Sequence, residues 1–213
     1  MFYGRENAEN RGVTKFYSRV HGSANAAGDP FALEMEGNET LENLYLKAEH
    51  EDGYIRDQSV FGDNISIEDT MSVLVRYEKG AMMSYSLNAY VPYEGFRVMF
   101  NGTKGRLELH VTEAVYVNGE GESSNEGAIV GEKITVYPMF GDAYEVAVEK
   151  GVGGHGGGDN VMLNDIFGTP YEDVLKRAAG HVDGALSIMT GICANKSIST
   201  GLPVNVKDII DIK

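Results

Sequence analysis

Apolar and polar residues alternate with a period of two through the middle of the chain, from residue 65 to residue 149. Alternation of this kind is typical of β-strands that bury one face. Short turns separate the alternating runs, and the sequence from Asn101 to Gly105 is a strong hairpin signal. We therefore predict an antiparallel meander of six or more strands. The runs cover residues 73–77, 81–89, 96–100, 107–111, 115–117, 134–136 and 144–148.

The spacing becomes helical after residue 158. Asp159 is placed to cap a helix that ends near Phe167. A second helix is predicted to begin at Thr169 and Pro170, with Val174, Leu175 and Ala178 as its apolar positions. A third helix is predicted from about 182 to 194, followed by an edge strand at 204–206. Strands that precede helices indicate an α+β fold, with an open, mostly antiparallel sheet and helices packed on one face. The inward positions of the third helix are Ala185, Ile188, Met189 and Ile192.

The first 64 residues are polar and irregular, and their turn-forming residues interrupt any strand pattern. One helix is predicted here, with Asn38 as its N-cap, a body from 39 to about 50, and Gly53 after its end. The apolar face of this helix is formed by Leu41, Leu44, Tyr45 and Ala48. Aromatic residues recur along the segment, which favours an ordered loop packed on a neighbour. We therefore divide the chain into an irregular N-terminal segment, 1–64, and a sheet with C-terminal helices, 65–213, within a single domain overall.

The net charge excludes some classes of partner. The 213 residues contain 18 Lys and Arg against 32 Asp and Glu, which gives a formal net charge of −14. So acidic a surface repels phosphate, which argues against nucleic-acid partners and against anionic membranes. No apolar run approaches the ~20 residues that a transmembrane helix needs. A cytoplasmic location is the default expectation.

The sequence gives little support to a metal site. The five histidines never fall in a metal-binding spacing, and Cys193 is the single cysteine. Its apolar helical context predicts a buried structural thiol rather than a nucleophile. The acidic run of Asp63, Glu68 and Asp69 lacks the spacing of a calcium loop, so calcium binding is the less favoured interpretation.

Glycine dominates residues 151–158, where the pattern G-x-G-x-x-G occurs literally. A dinucleotide-binding unit needs a second parallel strand after the helix, whereas here helix follows helix. Asp159 would also place a carboxylate where a phosphate should bind. The glycines could instead let backbone approach a ligand and present His155 to a substrate hydroxyl. The alternative, a glycine-rich turn with an exposed histidine, is equally compatible with the sequence.

Arg56, Asp57 and Gln58 bring a guanidinium, a carboxylate and an amide into an otherwise apolar stretch. Such a set suits the recognition of hydroxyl groups in a sugar or polyol. A local Arg–Asp pair on the surface explains the same residues equally well. Ser84, Ser86, Asn88 and Tyr90 form a polar face of the second strand. We expect this face to be solvated by default; a pocket wall and an oligomer contact are the alternatives.

Several separated motifs, in the same order, resemble the C-terminal domain of the glucose–fructose oxidoreductase and inositol dehydrogenase family (Gfo/Idh/MocA). The resemblance extends over essentially the whole chain. The segments that carry it are 69–73, 77–80, 94–97, 100–108, 154–159, 185–197 and 200–204.

The resemblance implies an NAD- or NADP-dependent oxidoreductase acting on a sugar or polyol. In that family an N-terminal Rossmann domain holds the cofactor, and the C-terminal domain completes the substrate pocket and commonly mediates oligomers. The family's Glu-Lys-Pro tripeptide does not occur here, so no catalytic or cofactor-binding residue is assigned and the chain alone is expected to be inactive. The predicted substrate-binding residues are Arg56, Asp57, His155 and Asp159.

Two other functions stay open. One is a free-standing carbohydrate-binding or assembly module without catalysis, and the other is part of an NAD-dependent glycosidase of the same family. The isolated chain is expected to bind no cofactor and to form homo-oligomers.

Overall fold

A computed structural model describes residues 5–13, 15–63, 65–91, 93–114, 131–148, 151–152, 157–169 and 171–210. The chain forms two compact units, Met1–Lys150 and Gly151–Lys213. The division falls at a point where the sequence pattern predicts no boundary. Whether the two units act as one domain, with the helices on one face of the sheet, stays a prediction.

The described residues of the N-terminal part of the first unit form three short α-helices: α1 (Arg5–Asn10), α2 (Glu39–Leu44) and α3 (Glu49–Asp52). Asn38 caps α2, since its side chain accepts a hydrogen bond from the Leu41 amide at 3.1 Å. Gly53 ends α3 with a φ of 77°. The helix predicted from 39 to about 50 is thus confirmed in position, but a 3₁₀ turn, Leu46–Ala48, interrupts it after Tyr45.

Most of the buried side chains of the first unit belong to this irregular segment. Tyr17, Val20, Ala26 and Ala32 form one buried cluster. Phe61 is 2 % exposed; its ring meets Phe31 edge-on, with centroids 5.0 Å apart, and stacks on Tyr90 at 5.2 Å. The described residues between 15 and 63 thus contribute buried side chains and ring contacts, while the division of the chain at residue 64 stays a prediction.

The strands pair antiparallel throughout. Strands β1 (Thr70–Arg76) and β2 (Met82–Asn88) form one sheet, and β3 (Glu94–Gly102), β4 (Gly105–Ala114), β5 (Gly131–Pro138) and β6 (Tyr144–Val146) form a second in that order. The α+β class and the open antiparallel sheet are confirmed, as is the hairpin in which Gly102 pairs with Gly105. The predicted strand at 115–117 lies outside the described residues.

The six described strands are divided between two sheets rather than forming one continuous meander. The residues after β2 turn back to the irregular segment: the Tyr90 hydroxyl donates a hydrogen bond to the Val60 carbonyl at 2.5 Å. Its ring packs on Phe61, so the chain at this point contacts the N-terminal core instead of continuing the ladder. Of the polar face predicted on β2, Ser84, Ser86 and Asn88 are exposed as expected.

The second unit contains α4 (Gly158–Phe167), α5 (His181–Thr200) and a 3₁₀ turn, Val206–Asp208. The helix predicted from Thr169 is wrong for 171–180, which is irregular. There Lys176 has a left-handed φ of 51°, and the Asp173 carboxylate accepts a hydrogen bond from the Ala178 amide. The strand predicted at 204–206 is also wrong, because the Asn205 side chain caps the 3₁₀ turn instead.

Helix α5 is longer than predicted and buries a narrower face. Met189 and Cys193, one turn apart, are its buried residues, which confirms Met189 and the buried thiol. Ile188 and Ile192 are 65 % and 44 % exposed, so the prediction that they point inward is wrong. No described helix is long and apolar enough to cross a bilayer.

Candidate functional site

The turn that carries Arg56 and Asp57 is fixed to the segment around Arg19. The Val20 amide donates to the Asp57 carbonyl at 3.0 Å, and the Ser59 amide donates to the Ser18 carbonyl at 3.1 Å. Arg19 and Gln58 form an isolated antiparallel bridge. Two stretches that are far apart in sequence thus share a short ladder, which positions the turn without a regular sheet.

Asp57 is a buried carboxylate, 1 % exposed. Its Oδ2 accepts a hydrogen bond from the His21 amide at 2.7 Å, and its Oδ1 lies 2.8 Å from Nη2 of Arg19. A buried charge needs such partners to offset its lost hydration. The Asp57 carboxylate is therefore buried and bonded to neighbouring residues of the protein. It is not one partner of an Arg–Asp pair on the surface.

Arg19 joins this carboxylate to a second one. Its guanidinium makes a bidentate hydrogen bond to the Glu49 carboxylate: Nη1 donates to Oε2 at 3.0 Å, and Nη2 donates to Oε1 at 2.5 Å. The hydrogen bond from Arg19 to Glu49 raises the pKa of Arg19, and the hydrogen bond to Asp57 raises it further by a smaller amount. The hydrogen bond between Arg19 and Glu49 also lowers the pKa of Glu49. The result is a three-residue network that ties α3 to the turn of Asp57.

The Arg56 side chain packs on the ring of Tyr45. Its guanidinium carbon lies 4.4 Å from the centroid of the Tyr45 ring, which is a cation–π geometry. Tyr45 in turn lies 6.2 Å from Tyr54, with the rings tilted by 59°. We call Tyr45, Tyr54 and Arg56 the Tyr–Arg cluster. It combines aromatic faces with guanidinium donors beside a turn that the buried Asp57 holds in place.

The remaining two predicted site residues are in the second unit. His155 lies outside the described residues. Asp159 is in the first turn of α4, whose N-cap is Gly157. The assignment of His155 and Asp159 to substrate binding therefore stays a prediction.

The start of α4 does not fit a cofactor phosphate. A phosphate binds a helix N-terminus through free amides and the positive end of the dipole, and the Asp159 carboxylate already supplies negative charge there. The described residues 157–169 and 171–210 also contain no strand that would complete a dinucleotide-binding unit. We assign no cofactor contact to this segment.

Sequence reasoning identified Arg56 and Asp57 but not the residues that organise them. Arg19 carries no local signal, because its partners are 30 and 38 positions away. Tyr45 appeared only as part of the apolar face of the predicted helix. No group of three or more His, Cys, Asp or Glu side chains within the described ranges is placed to hold a metal ion.

Comparison with known proteins places this chain in a family. The family model described as "Oxidoreductase family, C-terminal alpha/beta domain", of the Gfo/Idh/MocA group, matches residues 28–206. The chain is also 36 % identical over 163 residues to a Bacillus subtilis (strain 168) protein named "Putative oxidoreductase YteT". That match covers 75 % of this chain and 36 % of the relative. No solved structure matches the chain.

The match over residues 28–206 shows that the chain belongs to the Gfo/Idh/MocA oxidoreductase family and represents its C-terminal α/β domain. The resemblance noted from the separate motifs is thereby confirmed. The match spans little more than a third of the length of the Bacillus relative.

Proposed function

We propose that this chain is the substrate-binding domain of an NAD- or NADP-dependent oxidoreductase that acts on a sugar or polyol. The observation that carries the proposal is the Tyr–Arg cluster, in which the Arg56 guanidinium lies over Tyr45 beside the half-exposed ring of Tyr54. Aromatic rings pack against the C–H faces of sugars, and a guanidinium donates hydrogen bonds to hydroxyl oxygens.

Asp57 has a supporting role in this proposal. Its carboxylate accepts from the His21 amide and contacts Arg19, and these contacts hold the backbone that positions Arg56. Both carboxylate oxygens of Asp57 already contact a donor, Oδ2 the His21 amide and Oδ1 the Arg19 guanidinium. A substrate hydroxyl that donates to Asp57 would therefore have to share one of these oxygens. Arg56 is therefore the better residue for testing substrate binding, since its substitution leaves the Asp57 contacts in place.

The cofactor and assembly parts of the proposal rest on family membership. Oxidoreductases of this family are NAD(P)-linked, and the nicotinamide supplies the hydride-transfer chemistry. We place the cofactor in the Rossmann domain that the family carries before the C-terminal domain, because α4 offers a carboxylate rather than a phosphate site. Association with further copies of the chain is part of the same proposal.

The direct test is sugar binding by this chain. We expect at least one member of a panel of neutral hexoses, pentoses and polyols to bind saturably, measured by saturation-transfer NMR and calorimetry. Arg56→Gln should weaken that binding by about tenfold or more, because charge-assisted hydrogen bonds are lost. The unfolding temperature should change little.

Arg76→Gln is the matched control. Arg76 lies at the exposed end of β1, away from the Tyr–Arg cluster in sequence, and no contact of its side chain is described. It should leave sugar affinity unchanged. Equal affinity in Arg56→Gln and the parent chain, or a panel in which nothing binds, would contradict the proposal.

Catalysis is tested with this domain joined to a family Rossmann domain. Reduction of NAD or NADP by a sugar or polyol, followed by absorbance, would support the dehydrogenase. Sugar binding without cofactor reduction would favour the carbohydrate-binding module. NAD-dependent release of sugar from a glycoside would favour the glycosidase. Sedimentation of the chain at several concentrations tests self-association.

A further inference from the structure

The Tyr–Arg cluster joins two pieces of chain that a sharp bend separates. The Ala48 amide donates to the Tyr45 carbonyl at 3.0 Å, which starts the 3₁₀ turn that leads into α3. A helical stretch therefore runs from Tyr45 to the end of α3, where Gly53 bends the chain with a φ of 77°. Arg56 comes after this bend. The contact between Tyr45 and Arg56 thus depends on how the helical stretch is held against the turn of Arg56.

A cation–π contact is sensitive to that distance. Such a contact is favourable within about 6 Å of the ring centroid, and the guanidinium carbon of Arg56 lies 4.4 Å from the centroid of Tyr45. A displacement of about 2 Å would therefore end it. The same displacement would separate the guanidinium and the ring as parts of one binding surface.

Arg19 links the helical stretch to the turn. Its backbone belongs to the short ladder that positions the turn. Its guanidinium reaches the first residue of α3, because Nη1 and Nη2 donate to the two carboxylate oxygens of Glu49, at 3.0 and 2.5 Å. Nη2 also lies 2.8 Å from Oδ1 of Asp57. Glu49 follows Tyr45 by four residues, and Asp57 directly follows the guanidinium-bearing residue of the cluster.

All three guanidinium nitrogens of Arg19 contact carboxylates. Nε donates to Oδ2 of Asp57 at 3.4 Å, and both terminal nitrogens donate to Glu49. The side chains of Arg19 and Glu49 are only 23 % and 24 % exposed, so salt screens their contact less than it screens an open surface pair. The guanidinium is planar and rigid, and it therefore fixes the two carboxylates relative to each other. Arg19 acts through these carboxylates and not by donating to a ligand.

We infer that Arg19 is a positioning residue for the proposed sugar site. Through its two carboxylate partners it holds the Tyr45 ring at contact distance from the Arg56 guanidinium. The inference rests on the function proposed for the Tyr–Arg cluster. The distance that Arg19 sets can nevertheless be measured on the protein without a sugar, so the two can fail separately.

The first measurement is the ring-current effect of Tyr45 on Arg56. Protons that lie over a tyrosine ring resonate upfield, so the side-chain signals of Arg56 report the contact by NMR. Tyr45→Leu removes the ring and gives the position of these signals without it. Arg19→Lys keeps a positive charge beside the buried Asp57 but loses the bidentate bond to Glu49. We expect Arg19→Lys and Glu49→Gln to move the Arg56 signals towards those of Tyr45→Leu.

The second measurement is the affinity of the same variants for the panel of neutral hexoses, pentoses and polyols. Arg19→Lys and Glu49→Gln should each weaken binding about fivefold, through the displaced cluster. Lys47→Gln is the matched control, since it removes an ion pair of the same helical stretch, the one that joins Lys47 to Glu42 of α2 at 3.2 Å. It should change neither the Arg56 signals nor the affinity.

A double-mutant cycle separates positioning from a general loss of structure. If Arg19 acts through Arg56, Arg19→Lys should not weaken binding further in the Arg56→Gln background. Additive losses in this cycle would overturn the inference, as would Arg56 signals that coincide with the parent's in both Arg19→Lys and Glu49→Gln. If no sugar binds the parent chain, the proposed function fails, and the Arg56 signals alone decide whether Arg19 sets the contact with Tyr45.

Discussion

The irregular segment from 15 to 63 and the four-stranded sheet of β3 to β6 are built in opposite ways. The segment has little regular structure, yet it contains most of the buried apolar side chains of the first unit. The sheet has an extended backbone ladder, yet Val111 is its one buried apolar residue among those described. The buried apolar residues of the segment are Tyr17, Val20, Ala26, Ala32, Met35, Leu41 and Phe61.

The difference shows that a region can form regular secondary structure without a packed core, and a packed core without regular secondary structure. In the sheet, strand pairing satisfies backbone polar groups without burying side chains. In the irregular segment, backbone groups are satisfied by short turns and by the buried Asp57, while ring packing excludes water. We expect the segment to be sensitive to side-chain truncation and the sheet to be sensitive to changes of the backbone.

The largest expected effect is at Phe61. Phe61→Ala removes a buried ring that contacts Phe31 and Tyr90, so it should lower the free energy of unfolding by about 4 kcal/mol. Urea denaturation followed by circular dichroism measures the change. Phe140→Ala is the matched control: this ring is 98 % exposed in the turn between β5 and β6, and its loss should change stability by less than about 0.5 kcal/mol. Equal losses for the two phenylalanines would contradict the comparison.

An intermediate effect is expected at Gly105, the first residue of β4. Its φ is 149°, and a Cβ there would lie 2.2 Å from the Tyr137 carbonyl oxygen. Gly105→Ala should therefore destabilise the sheet by about 2 kcal/mol through backbone strain. Gly131→Ala, at the start of β5, meets nothing within 4 Å and should be close to neutral. Hydrogen exchange of the β4 and β5 amides reports the effect, and similar protection in both variants would argue against it.

The smallest effect is a pH dependence at Glu49. The hydrogen bond from Arg19 lowers the pKa of Glu49 below its ordinary value of 4.5. A lowered folded-state pKa contributes stability above the unfolded-state value, and that contribution is lost as the pH falls through the folded-state value. Glu49→Gln should therefore melt below the parent chain at pH 7, with the difference shrinking towards pH 3.

Glu34→Gln is the control for this titration, since no ion pair of Glu34 is described. Its melting temperature should track that of the parent chain across the same pH range. A difference between Glu49→Gln and the parent that stays constant from pH 7 to pH 3 would show that the ion pair with Arg19 does not carry the effect.

The candidate site shows where sequence reasoning stops. Arg56 and Asp57 were found because polar groups inside an apolar stretch are unusual, and a local pattern is enough to reveal that. Their separate roles were not found, because Asp57 is matched by Arg19, 38 positions earlier. Arg56 meets Tyr45, which the helical pattern had placed among apolar residues. The assignment of all four residues, Arg56, Asp57, His155 and Asp159, to substrate binding stays a prediction.

The sequence by itself determined the antiparallel strands, the hairpin at Gly102 and Gly105, the Asn38 cap and the family, because each depends on residues that are close together in the chain or on motifs in a fixed order. The tertiary structure decided the division into two sheets, the network of Arg19, Glu49 and Asp57, and the alignment of Arg97, His110 and Lys133 across β3, β4 and β5. These features depend on which distant residues come together. Periodicity reports the face on which a side chain lies, but not the partner that it meets.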